Sequence, residues 1–394
     1  MVQSLYSLGL KRYQFIWYIL IIGLFTWNLT WSYNRWKLLT NVSHKTMNLN
    51  STRDGNASSD EHRGSSDDLS TTYSTERHID MYLTQPHLAK ENEQTIIAFV
   101  LSTADHYERR ILIRKTWANS AYYNLPNGTA SLSTIFAVGL MHDEAVNSCV
   151  RNESKAYGDI LLMNNIDAYS NLVTKVKLAL AWIHRYSNAA YVLKVDDDVV
   201  LNPFGWIKMA ERLAALDMSC FVLGVVRVDT KPRRFGKYGV TDEDFEDDFY
   251  PNYCNGPGYM LARDSVAIVL KGCSRTPFFT MEDVYFTGIL VAQTPIHHLA
   301  LPQSAFVDLP KPWKINDTGA ILERIRNGLM AHRVPANLWL SIWHVYETER
   351  RKTVKISLDD VTERRNNILP LRWRLKPDYN VRCVFNSSSL ADCC

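Results

Sequence analysis

The sequence holds seven cysteines but no CxxC pair and no His/Cys spacing of a structural zinc site. Cys393 and Cys394 are its one adjacent pair. Charge bias is also missing. A formal net charge of +3 over 394 residues gives no footing for nucleic acid or an anionic membrane surface as the main partner. There is no internal repeat and no series of Ca²⁺ loops, which argues against a Ca²⁺-dependent adhesion protein. Low apolar content is absent too: 46% hydrophobic and 22% charged residues are ordinary for a folded chain, long enough for one large domain or two smaller ones.

One local absence is more informative. No charged side chain occurs between Arg12 and Arg35, and the centre of that stretch reads FIWYILIIGLF. As a helix it spans roughly 33 Å at ~1.5 Å per residue, about a bilayer core. Trp17, Trp27, Trp31 and Trp36 suit its interfaces. Thr30 and Ser32 flank bulky Trp31, a poor signal-peptide cleavage site, so the segment reads as an uncleaved anchor. Sequons at Asn41, Asn50, Asn56, Asn127, Asn152, Asn316 and Asn386 place the remainder in the secretory lumen. That compartment permits disulfides. An odd cysteine count leaves at least one free or paired between chains, so a homodimer stays open.

The expected organisation is a cytosolic tail (1–12), an anchor (13–34), a Ser/Thr-rich stem (35–92), a main folded domain (93–350) and an extension of unassigned role (351–394). From Thr95 the texture becomes that of a folded domain. TIIAFVLS, STIFAVGL, DILLMN, YVLKV and FVLGVV read as buried strands. Leu172, Val176, Ala179, Leu180 and Ile183 recur at helical spacing and predict a helix over Asn171–Arg185. Strands alternating with helices predict an α/β domain with a mostly parallel central sheet.

Four clusters carry chemistry. In YVLKVDDDVV a buried strand runs into Asp196, Asp197 and Asp198. Alternation puts Asp196 and Asp198 on one face and Asp197 on the other. Carboxylates this close repel unless a hard divalent cation neutralises them, and such a cation can hold a pyrophosphate. In MEDVYFTGIL, Glu282 and Asp283 open an apolar helical pattern, either as dipole partners or as a general base for a sugar hydroxyl. In YPNYCNGPGYML, Gly256 and Gly258 allow a turn and close backbone approach, and Tyr250, Tyr253 and Tyr259 offer faces for sugars. In ERRILIRKTW, Arg110 and Arg114 share a helix face that could meet phosphate.

In this order the blocks resemble the β1,3-glycosyltransferase family, which holds the β1,3-galactosyltransferases, the β1,3-N-acetylglucosaminyltransferases and the Fringe proteins. ERRILIRKTW is similar to its RxxIRxTW element, FAVG (from Phe136) to FxxG, and ESKAYGDI (from Glu153) to ExxxYGDI. IDAYSNLVTK (from Ile166) resembles D-x-Y-x-N-L-T-x-K, with Val173 and Thr174 a variation. YVLKVDDDVV, YPNYCNGPGYML and EDVYFTG match the remaining blocks, with Val200 where an aromatic is usual. The resemblance implies a GT-A nucleotide-sugar-binding domain in a type II Golgi membrane protein, and an inverting mechanism. It implies Mn²⁺ on Asp198 and Asp196, with His332 of AHRVPANLWLSIW a further ligand. It places the base in the EDV element, with Asp283 preferred to Glu282. Arg110, Arg114, Lys194 and Asp197 are expected at the donor, and the Tyr250–Tyr259 segment at donor and acceptor. UDP-galactose is the favoured donor, with UDP-N-acetylglucosamine and UDP-N-acetylgalactosamine as alternatives. The acceptor would be a glycan on a glycoprotein, glycolipid or proteoglycan. A non-catalytic glycan-binding relative is the alternative from another class; the intact DDD and EDV elements count against it.

Overall fold

The computed structural model describes residues 81–88, 95–123, 130–309, 318–349 and 359–360. The chain divides into two units, Met1–Asp68 and Leu69–Cys394, and all described residues belong to the second. The expected anchor, most of the stem, and the sequons at Asn41, Asn50, Asn56, Asn127, Asn316 and Asn386 lie outside the described residues. So does most of the extension. Among the described residues no helix is long and apolar enough to cross a membrane.

The central strand β2 (Thr95–Ser102) is buried at every position, as its unbroken apolar run requires when both sheet faces are covered. Its side chains alternate between two cores: Ile96, Ala98 and Val100 enter one, Ile97, Phe99 and Leu101 the other. It pairs in parallel with β3 (Ser131–Leu140) and β5 (Tyr191–Asp196), and β3 pairs in parallel with β4 (Ile160–Ile166). The CNGPGYML segment does not turn at Gly256 and Gly258 but runs extended. It is strand β8 (Tyr253–Ala262), antiparallel between β5 and β7 (Phe221–Arg227). The sheet is parallel over β4–β3–β2–β5 and mixed beyond it. β9 (His297–Ala300) continues it in parallel with β7, and β12 (Asp359–Asp360), from the expected extension, forms an antiparallel edge on β9. At the other edge β1 (Tyr82–Thr84) runs antiparallel to β4. The folded domain therefore begins inside the stretch read as stem. Tyr82 Oη donates to Leu178 O at 2.9 Å, and His87 N to Gly158 O at 2.8 Å, tying this strap down.

Helices cover both faces. On one lie α1 (Tyr107–Lys115), α2 (Glu144–Tyr157) and, beyond the triplet, α4 (Pro203–Ala215), which buries Trp206, Met209, Ala210 and Leu213. On the other, α3 (Leu172–Tyr186) buries Val173, Val176, Ala179, Leu180 and Ile183, the stripe its sequence predicts. α5 (Arg263–Cys273) packs beside it. Local signals set the ends. Asp143 caps α2, accepting from Ala145 N at 2.9 Å, and Gly158 ends it at φ 65°, where a Cβ would be strained. Asn202 caps α4 ahead of Pro203 at its first turn.

A second, three-stranded sheet matters more for function. β6 (Val200–Leu201) follows the acidic triplet directly. It pairs antiparallel with β11 (Met330–His332), which pairs in parallel with β10 (Phe306–Asp308). α7 (Ala336–Glu349) then packs back on the domain, its Trp339 Nε1 donating to Thr116 Oγ1 at 3.0 Å.

Candidate active site

The triplet ends β5 at the carboxyl edge of the parallel strands, where open α/β sheets place their ligands. Its side chains separate as alternation predicts. Asp197 turns to α1, taking His106 Nδ1 at 2.7 Å and Arg109 at 3.2 Å. Burial opposes its charge, but the His106 hydrogen bond prevails and its pKa is lowered. Asp196 and Asp198 face the other way. The small sheet brings His332, 134 positions later in the chain (332 − 198), to this spot: its Nε2 lies 3.5 Å from Asp198 Oδ1. One donor atom from each of Asp196, Asp198 and His332 lies within 4.8 Å of the others.

Two observations show that a divalent cation fits there. Asp198 Oδ1 is buried with no hydrogen-bond partner, and burial raises the Asp198 pKa. Such an orphaned carboxylate oxygen wants a charge beside it. His332 also has the arrangement of a ligating imidazole: Nδ1 bonds Asp308 Oδ1 at 2.9 Å, leaving Nε2 toward Asp198. β10 and β11 hold Asp308 and His332 in register.

Next to this cluster is a buried network. Lys194 Nζ donates to Asp196 Oδ1 and to Gly256 O, both at 2.6 Å, and lies 3.5 Å from Glu282 Oε2. Burial works against the ammonium, yet Asp196 and Glu282 outweigh it and raise its pKa. Tyr259 Oη donates to Glu282 Oε1 at 2.5 Å. Burial pushes the Glu282 carboxyl up to about 7, with Lys194 opposing. Asp283 differs from its neighbour. It is half-buried, its Oδ1 accepts from Val284 N at 2.9 Å, and its Oδ2 has no hydrogen-bond partner among the described residues. Burial raises its pKa, again against Lys194. A Cβ on Gly256 would come within 2.9 Å of that Oδ2, so the glycine keeps β8 against the carboxylate. The helix expected after Glu282 is one turn, α6 (Glu282–Val284), continued by a π-helical turn over Tyr285–Ile289. Such turns recur at functional sites. Here Thr287 Oγ1 donates to Asp283 O at 2.6 Å and accepts from Cys254 N at 2.8 Å, fixing Asp283 to β8.

The galactosyltransferase family model matches residues 108–302 of this chain, the span from α1 past β9 that builds most of this site. β1,3-Galactosyltransferase GALT1 of Arabidopsis thaliana is 28% identical over 295 residues, covering 72% of this chain but 42% of the plant protein. Mouse β1,3-galactosyltransferase 1 is 24% identical over 283 residues (68% of this chain, 78% of that protein). Human β1,3-galactosyltransferase 5 is 27% identical over 260 residues (65% and 79%). The chain carries a galactosyltransferase-family domain and is similar to β1,3-galactosyltransferases.

Within this galactosyltransferase domain several residues are not where the sequence suggested. Arg110, expected at the donor, is fully buried and bonds Glu153 twice (2.8 and 2.7 Å), Ser102 Oγ (3.0 Å), Ala104 O (3.0 Å) and Thr103 O. Arg114 grips Asp159 twice at 2.8 Å and Glu153 Oε1 at 2.7 Å, with its guanidinium over Phe136 and Tyr157. All five N–H donors of Arg110 are taken, and Arg114 is held by two carboxylates on the same internal face. Helical spacing put both on one face correctly, but that face is internal. Their partners Glu153 and Asp159 come from the ESKAYGDI block, so the blocks lock into one another. In the same way Gly139 N of FAVG donates to Asp167 at 3.0 Å, and Asp167 pairs with buried Lys175 at 2.6 Å.

The tyrosines also differ. Tyr250 and Tyr253 are buried in a ring cluster with Phe245 and Phe279, and Tyr259 serves Glu282. None presents a face. Glu282, the second candidate base, is held by Tyr259 and Lys194 and is closed to solvent. Lys194 touches Asp196 rather than open space. Gly258 meets Met330 of the small sheet, not a ligand. Asn152 is exposed on α2. Sequence reading passed over His106, Arg109 and Asp308. The first two stand in the ERRILIRKTW neighbourhood. Asp308 carries no local signal, because only strand pairing connects it to His332.

Proposed function

We propose that this protein is an inverting transferase that moves galactose from UDP-galactose to the 3-hydroxyl of an acceptor glycan, forming a β1,3 linkage. The reading rests first on Asp283. It is a carboxylate with a raised pKa and an unpartnered oxygen, beside Gly256 and close to the Asp196–Asp198–His332 cluster. A sugar hydroxyl is a weak nucleophile, and Asp283 Oδ2 takes its proton as the oxygen attacks the anomeric carbon. The bond from that carbon to the UDP oxygen breaks on the opposite side, so an α-linked donor gives a β-linked product. Lys194 holds Asp196 and the Gly256 carbonyl in fixed relation. His106 and Arg109 keep Asp197 turned away, which leaves Asp196 and Asp198 on the ligand side. Mn²⁺, the metal this reading favours, would be held by Asp198, Asp196 and His332 and would supply positive charge against the diphosphate. The domain is read as GT-A, in a type II Golgi membrane protein with its catalytic part in the lumen. The charge-free segment between Arg12 and Arg35 and the sequons support that placement.

UDP release from UDP-galactose, UDP-N-acetylglucosamine and UDP-N-acetylgalactosamine, with and without Mn²⁺ and over mixed acceptors, tests the proposal. Metal-dependent release from UDP-galactose is expected. Asp283→Asn should lower kcat by about 10²–10⁴ while UDP still binds. Full activity in that variant would remove Asp283 from the mechanism.

A further inference from the structure

The aromatic faces that sequence placed at Tyr250, Tyr253 and Tyr259 are buried, yet the site does have exposed rings. Tyr169 and Tyr238 are each 43% exposed and meet edge to face, with centroids 6.1 Å apart. Lys237 Nζ lies 5.2 Å from the first ring and 5.4 Å from the second. Phe235, on the same loop as Tyr238, is 89% exposed. Neither tyrosine hydroxyl has a hydrogen-bond partner among the described residues.

Topology puts this pair at the reacting end of the sheet. β4 runs in the same direction as β5, so Tyr169, just past β4, stands at the edge where Asp196 stands. β8 is antiparallel to β5, so its start is at that same edge. The loop from Arg227 to Tyr253, which carries Tyr238, delivers β8 there. α3 begins directly after Tyr169 and packs against α6, which bears Asp283. Electrostatics agree: the Tyr169 phenol is pushed up to about 12, first by burial, then by Tyr238, Asp283 and Glu282.

The loop is stiff, so Tyr238 is held ready. Arg234 donates to Val240 O and Thr241 O at 3.2 Å and to Phe245 O at 2.8 Å, and pairs with Asp242 at 2.9 Å. Tyr250 N closes the loop on Thr230 O at 2.9 Å. Exposed, pre-positioned rings with free hydroxyls have an apolar face and polar edge, the pairing that a pyranose also has.

We propose that Tyr169 and Tyr238, with Lys237 beside them, form the acceptor subsite: a pyranose of the acceptor glycan lays its C–H face on the rings while its 3-hydroxyl reaches Asp283. This rests on the transferase reading above, and it adds which residues hold the acceptor. Truncating either ring removes roughly 60 Å² of apolar contact at about 25 cal/mol per Å². That corresponds to about a tenfold weakening.

The test uses the full-length protein and its Tyr169→Ala, Tyr238→Ala, Tyr169→Phe and Tyr238→Phe variants. Each is measured for binding to immobilised β-galactosides, β-N-acetylglucosaminides and β-xylosides, and for transfer from UDP-galactose. The alanine variants should weaken glycan binding and raise the acceptor KM about tenfold, with donor KM unchanged and the phenylalanine variants near wild type. Transfer with an acceptor KM indifferent to both alanine changes overturns the subsite and leaves the transferase reading intact. Glycan binding that depends on the two rings, in a wild type that transfers from no donor, supports the subsite and refutes the transferase reading. Absence of both binding and transfer in folded wild type overturns it as well.

Discussion

Arg110 offers the sharpest separation between a nucleotide-binding arginine and a structural one. Its side chain has no solvent exposure and makes five hydrogen bonds, two of them to Glu153. Arg110→Met would leave Glu153, itself buried, with Arg114 alone, and would strip partners from the Thr103 and Ala104 carbonyls. Breaking one side of a buried pair costs about 3–5 kcal/mol. Thr103 O keeps the His106 N–H at 3.0 Å, so only the Ala104 carbonyl would add up to about 1–3 kcal/mol. Because Arg114 Nη1 still reaches Glu153 at 2.7 Å, we expect a total within the range for the pair alone, ~4 kcal/mol. Against a typical stability of about 5–15 kcal/mol that is a large loss. Urea unfolding of Arg110→Met, Glu153→Met and the double variant makes a cycle. The double variant should be less destabilised than the sum of the singles, with a coupling of about 1–3 kcal/mol. UDP affinity of the folded fraction should stay at the wild-type value. An unchanged unfolding midpoint combined with a tenfold or greater loss of UDP affinity would refute the structural assignment and return Arg110 to the donor.

Two further outcomes follow from the site. Glu282, with a folded pKa of about 7 against an ordinary 4.5, holds a proton in the folded state that the unfolded chain has released. Its contribution to stability therefore falls as pH rises between those values, and Glu282→Gln should remove that decline when the two proteins' unfolding is compared across the window. If the difference between them does not change with pH, Glu282 titrates normally. Gly256→Ala would place a Cβ 2.9 Å from Asp283 Oδ2. It should lower kcat by about tenfold or more through displacement of the base, with donor KM and unfolding midpoint little changed; a wild-type kcat would show that Asp283 tolerates the shift.

Much of this protein was legible in the sequence because the signals were local. The apolar run TIIAFVLS fixed a doubly covered strand, and the stripe from Leu172 to Ile183 fixed α3 almost to its ends. Alternation alone split the acidic triplet, with Asp197 on the face opposite Asp196 and Asp198. The motif blocks also carried the family. What tertiary structure decided was the orientation and company of charged and aromatic side chains, which depend on surfaces far apart in the chain. Arg110 and Arg114 read as ligand-facing because helical spacing defines a face but not what covers it; Glu153 and Asp159 cover it. Tyr250 and Tyr253 read as sugar-facing because aromatic residues serve cores and ligands equally well. Pairing β10 with β11 and β11 with β6 was needed to bring Asp308 and His332 to Asp198. Glu282 and Asp283 are adjacent and chemically alike, and only the positions of Tyr259, Lys194 and Gly256 distinguish a locked carboxylate from an available one. Sequence determines periodicity and chemical inventory, because those are properties of neighbouring residues. Burial and partner are properties of the closed fold, and on these the division of labour among the site's charges depends.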